Sequence, residues 1–361
     1  MRVLLTNNTL AKRAGTELYI RDVAIELMRR GHHPVAYSTE LGEVAEELRA
    51  ATVPVIRTLE SLGEAPDIIH GHHHYDTLAA MMWFPQTPAI YFCHGWLPLE
   101  EAPLRFPRIL RYVAVDELCR ERLIVEGGIP PERIELILNF FDKNLFTPRP
   151  PLPRVPRRAL AFGNEFTTDS GLPILLKACG ACGIELNAAG LLTQNSELRP
   201  GPLLAGYDIV FAKARAAIEA LAVGAAVVLS NPRGLGPLVT TQNFASLRLL
   251  NFGVRTLSRP LDANLLANEI RSYDPSDAEQ VSKLVRENCE MGPAVDRIVD
   301  LYERTIAEAR RNPAPPSIDC DRAVTRYLEQ SATQYKGSAL LEDRQRWIDR
   351  CLKAESALKD L

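Results

Sequence analysis

"YDIVFAKARAAIEALAVGAAVVLS", residues 207–230, decides the fold. DIVFA is a short apolar run of strand length, the stretch from about Ala214 to Val223 has helix-forming alanines and leucines, and Gly224 is a helix stop before the β-rich AAVVLS. Strand, helix and strand joined this tightly make a crossover unit of a parallel sheet. Two features exceed what packing needs. Lys213 and Arg215 crowd the helix start, where the dipole already places roughly half a positive charge, so together they make an anion site that a phosphate group would fit. Glu219 stands among Ala217, Ile218, Ala220 and Leu221, and a carboxylate buried there needs partners. Two vicinal hydroxyls would serve; pairing with Arg215 at i−4, or simple exposure to solvent, is the alternative.

The same alternation extends outward. RVLLT, GTELYIRDVAIELMRRG, PVAYS, DIIH, TLAAMMWF, AIYFCH, YVAVD, ELCRERLIVEGG and RIELILN predict a parallel sheet with helices on both faces over residues 1–147. TPRPPLPRVPRR, residues 147–158, has five prolines and reads as a stiff linker, because proline removes backbone donors and fixes φ. A second α/β lobe is expected over 157–275, further helices over 276–312 and a helical extension over 319–361. That extension carries eight acidic and eight basic residues among Tyr327, Leu328, Leu340, Leu341, Trp347, Ile348 and Leu352. It packs on the body or serves as a contact to a membrane surface or protein partner.

With 46% apolar and 24% charged residues, the chain suits a globular protein of two lobes. A net charge of −3 gives no general attraction to nucleic acid, so none is expected as partner. The N-terminus lacks a signal-peptide core and no apolar run reaches the ~20 residues of a membrane span, so a cytoplasmic location is expected. Seven scattered cysteines fit reduced thiols. Cys179 and Cys182 form a C-x-x-C, but after the helix LPILLKA rather than at a helix start, where a dipole would favour a thiolate.

In open parallel sheets ligands bind beyond the carboxyl ends of the strands. NNTLAKRAGTE follows the first strand; Asn7 begins it, and the amides of Gly15, Thr16 and Glu17 at a helix start would favour an anion, although Thr16 could equally be an ordinary N-cap. HGHHHYD holds four of the seven histidines and reads as a polar loop at a strand end; His72 and His73 are candidates to face a substrate, and neighbouring imidazoles without a supporting carboxylate make a poor metal site. His94 in YFCHGW ends a strand beside Gly95 and would project into the cleft, where it could donate a hydrogen bond near a reacting centre, or serve only structure.

Taken together, GTELYIRDVAIELMRRGHHPVAYS, DIIHGHHH, CHGW, the run from YVAVDELCRERL to LFTP, and IEALAVGAAVVLSNPRG resemble the GT-B glycosyltransferases, most closely the family 4 group, over about residues 1–310. The resemblance implies an α/β fold of two Rossmann-like lobes facing across a cleft, the second binding a UDP- or GDP-linked sugar and the first a small-molecule or glycan acceptor. It implies sugar transfer with retention, without metal or cofactor, because basic groups and a helix dipole stabilise the leaving diphosphate. It matches Glu219 to the ribose-binding glutamate, His94 to the histidine beside the donor sugar, Gly15 to the glycine of the first loop and Asn139 to the asparagine after the last strand of the first lobe. Gly163 and Asn164 stand in the donor turn, and Asn7, His72 and His73 on the acceptor side. Two departures stand out: Phe211 occupies the position of a second, sugar-contacting glutamate, and FGNEFTTDSG has no cation between Gly163 and Gly171. Lys213 and Arg215 are therefore expected to supply the missing charge, acting with His94 as the catalytic set. The departures also leave open a protein of the same architecture that binds without turnover.

Overall fold

The computed structural model describes residues 1–96, 99–190, 200–312, 314–333, 336, 337, 344 and 347. The first half runs β1 (Arg2–Thr6), β2 (Thr9–Leu10), α1 (Gly15–Arg29), β3 (His33–Tyr37), β4 (Glu40–Leu41), α2 (Glu43–Ala50), β5 (Val55–Ile56), β6 (Ile68–His72), α3 (His74–Trp83), β7 (Ala89–Cys93), β8 (Ile109–Ala114), α4 (Glu117–Val125) and β9 (Ile134–Leu136). Seven of these strands make a parallel sheet in the order β5-β3-β1-β6-β7-β8-β9, while β2 pairs with β4. Helices cover both faces, so central strands are buried on both sides: Val3, Leu4 and Leu5 of β1 are all wholly buried.

The second half continues with β10 (Arg158–Phe162), α5 (Leu172–Ala181), β11 (Glu185–Ala189), α6 (Pro200–Ala205), β12 (Ile209–Ala212), α7 (Ala214–Val223), β13 (Ala226–Asn231), β14 (Gly234–Leu238), α8 (Phe244–Leu249), α9 (Ala263–Arg271), α10 (Pro275–Asn288) and α11 (Met291–Arg311). Its sheet has the order β11-β10-β12-β13-β14, parallel except for β14. The 207–230 stretch is thus β12-α7-β13, with the two strands adjacent and in register from Ile209↔Ala226 to Ala212↔Leu229. Gly224 caps α7 in the left-handed region at φ 101°, a conformation glycine adopts without penalty. From Ala217 to Val223 every residue of α7 is buried, packed against its sheet, α6 and α10.

The chain crosses between the sheets twice, side by side. Phe141 N–H donates to the Cys289 carbonyl at 3.0 Å, and Met291 N–H to the Phe141 carbonyl at 3.0 Å. After the return crossing, α11 buries Met291, Val295, Ile298, Leu301 and Tyr302 in the first lobe's core beside Ile20, Val23 and Leu27. At roughly 1.5–3 kcal/mol for each large apolar side chain, that burial ties α11 energetically to the first lobe.

The proline-rich segment is irregular, as its composition predicts, but it is fastened down. Arg149 N–H donates to the Val223 carbonyl at 2.9 Å and its guanidinium pairs with Asp208 at 3.1 Å; Arg157 N–H donates to the other Asp208 oxygen at 2.9 Å. Residues 317–333 are helical and lie on the first lobe, with Cys320 and Ala323 buried in its core and Tyr327 edge-on to His74 at 5.4 Å. Most of the expected extension beyond 333 lies outside the described residues. Among the described residues no helix is long and apolar enough to cross a membrane.

Candidate functional site

A cleft of about 1170 Å³ opens between the lobes. Arg13, Gly15, Arg21, Asp22 and Glu47 line it from the first lobe; Gly163, Asn164, Glu165, Lys213, Arg215, Glu219 and Asn231 from the second. The turn after β10 and the start of α7 meet here because β10 and β12 are adjacent parallel strands whose carboxyl ends face the same way.

Glu219 is buried and paired with Arg215, whose Nε donates to its Oε1 at 2.7 Å. Pairing within the helix, the plainer alternative from the sequence, is therefore realised, although Glu219 still contributes to the cleft wall. Arg215 also donates an Nη to Asp22 Oδ2 on α1, so it bridges the lobes. From Asp22 the alternation of charge continues. Arg21 donates to Asp22 Oδ1 at 2.9 and 2.7 Å and to Glu47 Oε2 at 2.7 Å, and Arg13 pairs with Glu47 Oε1. Three arginines and three carboxylates thus form a ladder along the cleft.

Burial pushes the Glu219 carboxyl above its usual range, against the pull of Arg215. For Asp22 burial acts the same way, but Arg215 and Arg21 outweigh it and the carboxyl is held low. Burial alone would lower Arg215; Asp22 and Glu219 raise it instead. Asp22 is thus the acid whose charge its neighbours compensate best.

Lys213 is the N-cap residue of α7, and its Nζ lies 3.3 Å from Glu165 Oε1 in the facing turn. Asn231 Nδ2 donates to the other Glu165 oxygen at 2.7 Å. Lys213 therefore does stand opposite the cation-free turn, but with an acid as its neighbour. Ala214 begins α7 at φ 52°, strained for a residue with a Cβ, and its N–H donates to the Phe252 carbonyl at 2.7 Å. Phe211 is wholly buried, so the position of the second glutamate is core here.

The first lobe's strand ends differ from expectation. Gly15 opens α1 on the cleft wall, with open space where a Cβ would stand, but Thr16 is not the N-cap: Ala14 is, and Thr16 Oγ1 donates to Glu17 at 3.0 Å. His72 is the last residue of β6 rather than part of a loop, and it is buried. Strand alternation puts His70 and His72 on one face, where their Nε2 atoms meet at 2.6 Å and His70 Nδ1 meets the Tyr302 hydroxyl. His94 does not line the cleft; its ring stacks on His72 at 4.5 Å and meets Tyr19 edge-on at 4.7 Å. His73 is buried at φ 58°, its Nδ1 accepting from Asn8 N–H at 3.3 Å. Gly71 is forced by the same packing: a Cβ there would sit 2.4 Å from Thr77.

Burial keeps these rings neutral, pushing His94 down to about 3, His73 to about 4, and His70 and His72 well below the usual range. Several polar atoms around them are buried without a partner: Tyr19 Oη, His72 Nδ1, His94 Nε2, Asn7 Oδ1 and Asn139 Oδ1. The His94 turn is held from both sides. Glu101 accepts the His94 N–H at 2.8 Å, and Arg122 donates to the Gly95 carbonyl at 2.6 Å. Burial raises Glu101 to about 7. Among the described residues no three His, Cys, Asp or Glu side chains gather as a metal-binding set. Cys179 closes the last turn of α5, and burial pushes its thiol up to about 12.

Sequence reasoning missed Arg21, Asp22 and Glu165. The signal for the first two was present: charged neighbours between Ile20 and Val23 on an apolar helix pose the question that Glu219 poses in α7. Glu165 carried no such signal, since an acid in a turn is ordinary.

Comparison with known proteins agrees with this architecture. Residues 13–145 match the model of Glycosyltransferase Family 4. No curated protein sequence matches the chain. Among solved structures, a glycosyltransferase from Rickettsia africae superposes with a TM-score of 0.63 at 15% identity, over 84% of this chain and 98% of that one. Anabaena HepE, crystallised with UDP and glucose, gives 0.60 at 17%, over 84% and 99%. The sucrose-phosphate synthase of Thermosynechococcus elongatus gives 0.59 at 14%, over 85% and 99%. At such identities the superpositions establish the GT-B fold.

Proposed function

We propose that the chain, which has the GT-B fold and matches the Glycosyltransferase Family 4 model over residues 13–145, is a family 4-like glycosyltransferase that moves a sugar from a UDP- or GDP-linked donor to a small-molecule or glycan acceptor in the cytoplasm. The carrying observation is the start of α7, where Lys213, Arg215 and the helix dipole converge on the cleft beside Glu219. The donor diphosphate would lie against the α7 amides and Lys213, between them and the turn at Gly163 and Asn164. Those groups hold the charge that develops on the leaving group, so the reaction needs neither metal nor cofactor. Glu219 accepts from Arg215 through one oxygen, and the proposal gives its carboxylate the ribose hydroxyls. Support for such a donor comes from the HepE complex with UDP and glucose.

Transfer proceeds with retention in this reading. Gly15 and the first turn of α1 form the opposite wall, where in this reading the amides of Gly15 and Thr16 face the donor. His94, buried, neutral and set back from the cleft wall, would not serve as a proton donor of the imidazolium kind. Asn139 carries an unpartnered buried oxygen but is not on the cleft wall, and no contact to the sugar is assigned to it. Titration calorimetry with UDP and GDP tests the reading: one of them should bind, and Glu219→Gln should weaken it about tenfold, as for a lost charge-assisted hydrogen bond. A chain that binds neither nucleotide is not a transferase of this kind. That outcome would favour the alternative of a catalytically inactive binding or scaffold protein of the same architecture, which Phe211 in place of the second glutamate motivates.

A further inference from the structure

Arg215 is the rung at which the ladder passes from one lobe to the other. Its Nε holds Glu219 in its own helix, one Nη holds Asp22 of the first lobe, and Nη1 is buried without a partner. We propose that Asp22 is a positioning residue that competes with the donor's diphosphate for Arg215, so that nucleotide binding draws Arg215 away from Asp22 and unfastens the lobes at this point. This rests on the reading that the cleft takes a nucleoside diphosphate.

Charge balance carries the inference. Arg13, Arg21 and Arg215 face Asp22, Glu47 and Glu219, and each arginine is already engaged by a carboxylate. A diphosphate entering this electroneutral set brings charge that the set cannot compensate unless one cation is released. Arg215 is that cation, because its departure leaves Asp22 still bound by Arg21 through two hydrogen bonds to Oδ1. Arg21 is held more firmly, by two hydrogen bonds to Asp22 where Arg215 makes one. The buried Nη1 adds a donor that the ladder leaves unused, and an unsatisfied buried N–H favours any state that supplies an acceptor. Since Asp22 belongs to α1 and Arg215 to α7, the exchange couples donor binding to the contact between the lobes.

The test measures UDP, GDP and uridine binding by calorimetry on the full chain, with thermal unfolding confirming that each variant is folded. Asp22→Asn should tighten the nucleoside diphosphate about fivefold or more, in the usual range of coupling between sites. Arg21→Gln acts in the opposite direction, because Asp22 then has only Arg215 as partner, and should weaken it. Uridine, which lacks the diphosphate, should change in neither variant, whereas a general distortion of the cleft would shift it too. Wild-type binding with no change in either variant, or an equal change for uridine, overturns the competition and leaves the donor reading intact. Absence of wild-type binding to UDP and GDP alike overturns the donor reading, and this proposal with it.

Discussion

The carboxyl ends of the two central sheets occupy equivalent places in the fold and are furnished in opposite ways. Where β6 and β7 end, four neutral rings, His70, His72, His94 and Tyr19, are packed among Phe92 and Phe140, and several of their polar atoms lack partners. Where β12 ends, the groups are charged and almost every one is paired. Burial explains both outcomes. An imidazole escapes the cost of a buried charge by shedding its proton, whereas an arginine cannot and must be matched by an acid. One strand end is therefore neutral and packed, and the other is charged and lines the cleft that the proposed function gives to the donor diphosphate.

The largest effect that could break this contrast comes from Arg215. Replacing it with alanine leaves Asp22 and Glu219 buried with one partner fewer, and removing one member of a buried pair costs about 3–5 kcal/mol. Urea unfolding of Arg215→Ala should show a loss of that order, against under about 1 kcal/mol for Lys213→Ala, whose partner Glu165 is half exposed. Equal small losses would mean that the ladder is surface decoration and that the two strand ends do not differ.

The histidine end should respond to acid. Folded values below the ordinary 6.5 mean that the unfolded chain binds more protons, so stability is fully present above about 6.5 and falls as pH drops toward about 3, the value for His94. Each such ring contributes a slope of at most about 1.4 kcal/mol per pH unit in that window. Glu101, raised to about 7, works in the other direction: its cost is absent below 4.5 and complete above about 7. Thermal unfolding between pH 7 and pH 4 should therefore show a net loss in the wild type and a shallower one in His94→Asn. A flat profile would mean that the rings are solvated, and the contrast with the charged end would lapse.

Much of this was legible in the sequence, though unevenly. The β12-α7-β13 unit, the proline break and the anion-favouring start of α7 follow from local patterns, because period and glycine placement are local properties. The histidines were misread because HGHHHYD looks like a polar loop, and only the register with β7 shows that β6 runs on to His72 beneath Phe92. The partner of Glu219 was named as one alternative, since i−4 is local; that Arg215 also reaches Asp22 was not readable, because that contact spans the two lobes. The helix returning to the first lobe, α11, shows a clear apolar stripe in sequence, but nothing in the stripe says which core it enters.

The smallest expected effect sharpens the comparison at the two strand-to-helix junctions. Each carries a non-glycine residue in the left-handed region: His73 at φ 58° before α3, and Ala214 at φ 52° opening α7. His73 has a use for its side chain, which accepts from Asn8 N–H and lies 3.9 Å from Glu101. Ala214 has none, and Asn251 and Phe252, the segment its N–H binds, are left-handed as well, at φ 54° and 51°. Glycine removes a penalty of about 1–2 kcal/mol at such a position, less the roughly 0.5–1 kcal/mol it loses through greater freedom in the unfolded chain. Ala214→Gly should thus stabilise by a few tenths to about 1 kcal/mol in urea unfolding. His73→Gly should destabilise, because relief of the same strain is outweighed by loss of a buried ring's packing and of the acceptor for the half-buried Asn8 N–H. If both glycines stabilise, the His73 contacts are incidental and the two junctions are alike; opposite signs would show that the first lobe keeps its strain for a side chain and the second for a backbone contact, that of Ala214 N–H with Phe252.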